Sequence, residues 1–232
     1  MNPVGPAPSL SSISRPLLIA LALALAVGGW KSTTPTPAVT AGDASGTGGV
    51  AACRVPSIGP ASALRLAEAP LQWPASGVAS FRLGEHRVVP RAGFAVDAVT
   101  LGAKRYRTGP EAADSPLDLA LGWGPMARPE VFGALDIRQS TRWYHYRYGV
   151  EGPPIPREAI IVNSSNLHMI PSSPRIAEQL LSIDEGDRVR LVGWLVDVEF
   201  PNGGRWPTSL RRDDTGDGAC EIVYVCEVAV SP

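Results

Sequence analysis

The stretch DRVRLVGWLVDVEF, residues 187–200, constrains the fold more than any other part of the chain. Its apolar residues fall on both parities: Val189, Leu191 and Leu195 are odd, while Val192, Trp194, Val196, Val198 and Phe200 are even. Successive side chains of a strand point to opposite faces, so a strand of this composition has to be covered on both sides. Gly193 sits where the dominant apolar face changes over. A glycine in mid-strand at such a point marks a bend or bulge, as at the corner of a small barrel.

The segments around it supply partners. PNGG (201–204) is a turn, RWPTSL (205–210) a short strand broken by Pro207, and CEIVYVCEVAV (220–230) a last strand with Ile222, Tyr224, Cys226 and Val228 on one face. Upstream, GFAVDAVTLG (93–102) alternates Phe94, Val96 and Ala98. TRWYHYRYG (141–149) and REAIIV (157–162) read as strands, and SPLDLALGWGPM (115–126) as a short helical turn ending in a glycine loop. Two stretches carry helix signals. In SSPRIAEQLLSI (172–183) Ser173 is a cap, Pro174 occupies the first position, and Ile176, Leu180 and Ile183 form a stripe. RPEVFGAL (128–135) places Pro129 at a first helical position. The order of strand, aromatic strand, strand, helix, bent strand, short strand and strand predicts a β-rich α+β fold. The expected architecture is a small OB-like β-barrel with one or two helices.

The chain has 232 residues, and its first third differs in character from the rest. LLIALALALAVGGW (17–30) is an apolar run of about 14 residues between Arg15 and Lys31. That length suits a signal-peptide core and falls short of the ~20 residues a spanning helix needs. Residues 1–31 are read as a signal peptide or a short membrane anchor. Either delivers the remainder across a membrane, which puts the chain in the periplasm or on the periplasmic face of the inner membrane. Residues 32–76, rich in Pro, Ala and Gly, read as a flexible linker, and 77–232 as a single globular domain. Cys220 and Cys226 on one strand lie ~20 Å apart at ~3.3 Å per residue, too far to bridge. An intramolecular disulfide would therefore use Cys53, and a free Cys53 is the equal alternative.

Charge and motifs narrow the function. Lys+Arg 21 against Asp+Glu 22 leaves net −1, so no global field draws nucleic acid. TRWYHYRYG lines up Arg142, Tyr144, Tyr146 and Tyr148 on one face, a base-stacking pattern in principle. Without clustered positive charge, cross-strand packing explains it better. NSSNLHMIP (163–171) reads as a polar loop. Within it, His168 with Cys220 is a candidate thiol dyad, since a nucleophilic cysteine needs a base, and Asp213 and Asp217 are candidate acids beside it. Trp123, Asn166, Arg142 and Tyr144 are candidate ligand-binding residues. No HxH, HxxxH or CxxC spacing exists, so neither a metal nor another cofactor is expected. In RRDDTGDGACE (211–221), a calcium loop starting at Asp213 would need a bidentate carboxylate where Tyr224 stands. A turn with Gly216 and Gly218 at positive φ fits instead.

Three strings in order, DLALGWGPM (118–126), NLHMIP (166–171) and DTGDGACE (214–221), behind a short apolar segment resemble a group of uncharacterised bacterial exported or single-pass membrane proteins. The resemblance covers roughly residues 93–230. It implies one small domain and a retained anchor, and it transfers no role to any residue. The expectation is an envelope protein, most simply a non-enzymatic module binding a protein, a glycan or a small ligand. The alternative is an envelope hydrolase or thiol enzyme using His168 and Cys220.

Overall fold

The computed structural model describes Cys53, residues 64–109 and residues 111–231. It is β-rich, with one large mixed sheet and few helices. The strands are β1 (Leu71–Pro74), β2 (Phe81–Leu83), β3 (His86–Arg105), β4 (Leu117–Gly122), β5 (Asp136–Ser140), β6 (Trp143–Arg147), β7 (Ser164–Pro171), β8 (Arg188–Glu199), β9 (Arg205–Trp206) and β10 (Glu221–Ser231). The helices are α1 (Pro129–Phe132), α2 (Arg157–Val162) and α3 (Pro174–Leu181). Eight strands form the sheet in the order β1-β3-β4-β7-β10-β8-β9, with β2 on β3, and β5 and β6 form a separate hairpin. β8 also pairs with β3, so the pairings run β3-β4-β7-β10-β8 and return to β3. All are antiparallel except β7 with β10.

The two-sided strand is covered on both sides as its sequence requires. Val189, Leu191 and Leu195 join an apolar cluster with Phe94, Leu119 and Val223. Trp194, Val196 and Val198 join a second with Phe81, Ile222 and Tyr224. Trp194 is 1% exposed. A Cβ on Gly193 would lie 2.1 Å from the Tyr224 carbonyl oxygen. The two backbones approach closely there, and the β8–β10 register shifts between Val225 and Glu227, beside the same point. Ser173 caps α3, its hydroxyl accepting from the Ile176 amide at 3.3 Å.

Several expectations need correction. The ordered fold starts before residue 77. Leu64 is buried, and β1 pairs with β3 so that Trp73 lies over Gly93, where a Cβ would overlap its indole. Trp73 also meets Trp194 edge-on at 6.1 Å between centroids. The reason is that the second apolar cluster needs a cover, and β1, β2 and Cys53 provide it. Cys53 is bonded to Cys226, with Cα atoms 5.2 Å apart, and Cys220 is the free cysteine. Residues 1–31, and with them the 17–30 run, lie outside the described residues. Among the described residues no helix is long and apolar enough to cross a membrane.

Residues 117–122 are a strand, not a helical turn. Leu117, Leu119 and Leu121 alternate into the first cluster, a period of two that outweighs the helix-favouring leucines. Residues 157–162 are a helix, not a strand. Pro156 precedes it, Ile160 is its fully buried residue, and at its end the Asn163 side-chain Nδ2 donates to the Ala159 carbonyl at 2.7 Å. Residues 164–171 are a buried strand, not a loop, because Leu167 and Met169 face the first cluster while the polar residues between them find buried partners. Among the described residues three short α-helices and a 3-10 turn at Gly124–Ala127 stand where one or two helices were expected.

Candidate functional site

The hairpin β5–β6 organises the site. Its two-residue loop is Thr141-Arg142, with φ of 48° and 68°. Positive φ at both positions is the geometry of a type I′ turn, which favours Asn-Gly and strains a β-branched residue. The contacts that hold the turn are those of Arg142. The Arg142 guanidinium donates to the Asp118 carboxylate at 2.8 Å and lies 3.9 Å from the centre of the Tyr106 ring. The Arg142 amide donates to the Tyr106 hydroxyl at 3.2 Å, and its carbonyl accepts from Asn166 at 3.1 Å.

Asp118 is fully buried and stands opposite His168 in the β4–β7 register. It meets the His168 Nδ1 at 2.8 Å and accepts from the Asn166 amide at 3.4 Å. Gln139 of β5 donates to the Asn166 side-chain oxygen at 2.7 Å. The Trp206 ring covers the imidazole, 4.8 Å away. A buried carboxylate is costly unless paired, and Arg142, His168 and Asn166 together pair this one. The aromatic hairpin is thereby pinned to the sheet.

A second buried cluster lies beside it. Ser165 donates to Glu221, which also pairs with Arg212. Burial pushes the Glu221 carboxyl up to about 7, against the pull of Arg212. Burial equally lowers the Arg212 guanidinium. Asp214 accepts from the Ser209 hydroxyl at 2.7 Å.

Between these clusters opens a cavity of about 410 Å³. Trp143, Tyr144, Tyr146 and Tyr148 of the hairpin form one wall. Arg157 and Ile161 of α2, with Asp214, Thr215 and Cys220 of the loop before β10, form the others. Its size lies within the ~300–1,000 Å³ range of small-ligand pockets.

The sequence-predicted residues divide between these places. Arg142 and Asn166 do converge on Asp118, Arg142 as its ion-pair partner and Asn166 as a donor that also lines the cavity. Tyr144 lines the cavity with its hydroxyl turned to Ser164, 3.5 Å away, and burial raises its phenol to about 12. Trp123 is no wall of the cavity. It is 1% exposed and donates to the Val162 carbonyl at 3.2 Å, anchoring the end of α2. His168 and Cys220 do not form a thiol dyad. The imidazole is engaged by Asp118, while the Cys220 thiol donates to the Arg142 carbonyl at 3.8 Å. Burial, with Glu221 and Asp118 nearby, lifts that thiol to about 12, so it stays protonated and weakly nucleophilic. Asp213 is exposed and bound by Arg211 at 2.9 Å, Asp217 is exposed, and neither reaches His168. Gly216 and Gly218 have φ of 86° and 85°, as the turn reading requires. Among the described residues no cluster of three or more His, Cys, Asp or Glu is placed to hold a metal ion.

Sequence reasoning missed Asp118, Glu221 and Arg212. The available signal was the alternation of LDLALG, which puts Asp118 on a strand face next to a buried neighbour strand. Comparison of the chain with family models, with curated proteins and with solved structures gave no match.

Proposed function

We propose that the chain is an exported or membrane-tethered bacterial envelope protein whose domain is a non-enzymatic binding module. In this reading β3, β4, β7, β10 and β8 form an OB-like small barrel. The return of the pairings to β3, the parallel β7–β10 pair and the position of α3 between β7 and β8 support that architecture. Export is supported by the 17–30 apolar run together with the Cys53–Cys226 bridge, since disulfides persist in oxidising compartments. The observation that carries the binding reading is the 410 Å³ cavity walled by the aromatic hairpin. The buried Asp118, His168, Glu221 and Arg212 are all engaged with one another or with neighbouring side chains, which suits a scaffold better than a reacting centre. Single-stranded nucleic acid is disfavoured, because Arg142 is spent on Asp118 and the net charge is −1.

The test is NMR shift mapping on the full, disulfide-intact chain with fragments of several chemistries: methyl glycosides, proline dipeptides, nucleosides and indole. At least one class should shift the amides of 143–148 and 214–220 together. If none does, at concentrations up to tens of millimolar, the cavity is not a binding site.

A further inference from the structure

We propose that the cavity takes an uncharged pyranose unit of a glycan, an inference that rests on the binding-module reading above and names its ligand. Three features point to a sugar. The first is the wall. Trp143, Tyr146 and Tyr148 come from one hairpin that is pinned by Arg142 and Gln139, so their rings are pre-positioned. The C–H face of a pyranose packs against such rings with little ordering cost, because the rings are already fixed.

The second is charge. Arg157 and Asp214 line the same cavity, one offering donors and the other an acceptor, with no net charge between them. Arg142, Arg138 and Arg212 are committed to Asp118, Asp136 and Glu221, and Arg147 of the hairpin does not line the cavity. A polyanion would meet the Asp214 carboxylate with Arg157 as the single lining arginine to offset it. An uncharged polyol, whose hydroxyls both donate and accept, satisfies Arg157, Asp214 and the Thr215 hydroxyl together.

The third concerns the competing occupant of aromatic grooves, a proline-rich peptide. Proline offers carbonyl acceptors and no N–H. Seated here, such a segment would leave the Asp214 carboxylate facing a ligand poor in donors, a loss the sugar avoids. The cavity, about 410 Å³, is also one compact chamber rather than an extended groove.

Calorimetric titration of the full, disulfide-intact chain with N-acetylglucosamine oligomers and with maltooligosaccharides tests this, with a proline-rich decapeptide and oligo-dT run alongside. Saturable binding of a saccharide is expected, weakened roughly tenfold or more in Trp143→Ala and in Asp214→Asn, the effect of losing one stacking ring or one charged hydrogen bond. Tyr148→Ala, at a 45% exposed position, serves if Trp143→Ala melts early. Saccharide binding that these variants leave unchanged overturns the assignment of this cavity. Binding of the peptide or the oligonucleotide at the cavity, with no saccharide binding, overturns the sugar while keeping the module. Silence from every probe here and in the fragment mapping overturns both.

Discussion

One sheet face carries two regions covered in opposite ways. Around Trp194, Tyr224 and Cys226 the cover is apolar: Phe81 of β2, Trp73 of β1 and the bonded Cys53. Around Asp118, Asn166 and His168 the directional contacts come from Gln139 and Arg142 of the hairpin, with Trp206 over the imidazole. Apolar burial is non-directional, so the first cover stabilises without demanding one geometry. The second works only if every donor meets its acceptor, so it fixes where the hairpin sits. The region with directional contacts is the one that borders the cavity. Stability and placement are thus assigned to different parts of the same face.

Four measurements break or sharpen that contrast. Emptying the apolar side should cost most: Trp194→Ala is expected to lower stability by about 3–5 kcal/mol in denaturant unfolding, and a loss under about 1 kcal/mol would mean this side is not a packed layer. Next comes the clamp. Cys53→Ser should cost about 2–4 kcal/mol, by freeing the N-terminal cover in the unfolded chain, and an unchanged melting temperature would contradict the pairing with Cys226. On the polar side Arg142→Ala should cost roughly 2–3 kcal/mol, less than a bare buried charge would, because His168 and Asn166 remain on Asp118. Amide exchange should then quicken across residues 136–147 while β1 and β2 keep their protection. Equal loss in both would show that the two covers are one cooperative unit.

The smallest expected effect is a pH dependence. Burial raises the Glu221 carboxyl from its ordinary 4.5 to about 7, so between these values the folded state holds a proton that the unfolded state has released. Its contribution to stability is full below the unfolded value and is lost as pH rises through about 7. Other things equal, stability should fall between pH 5 and pH 8 by up to about 2 kcal/mol. Glu221→Gln should flatten that part of the profile, and an unchanged profile in the variant would assign the dependence to other groups.

Much of the apolar region was legible. The two-sided parity of 187–200 required two layers, and Gly193 marked the place where two backbones close in. What failed there was the boundary, since a stretch poor in large apolar residues reads as linker even when Trp73 and Cys53 serve as cover for a face formed far away in sequence. The polar region was legible only in pieces. Asn166 and His168 read as a loop because polar alternation is normally taken as a solvent-facing pattern, and here the polar face is buried. Thr141 and Arg142 read as the start of a strand because the favoured residues of a type I′ turn are absent there. Asp118 drew no notice at all, as its partners come from residues 24 and 50 positions away.

The Thr141-Arg142 turn places two kinds of selection in opposition. Backbone preference alone would favour Asn or Gly at these positions, where positive φ costs such residues little. At 141 nothing described opposes that preference. At 142 the same change would surrender the charge that holds Asp118 and, with it, the seat of the hairpin. Stability-selected libraries covering both positions should therefore move freely at 141 and return arginine at 142, which separates the residue that merely tolerates the bend from the one for which the bend exists.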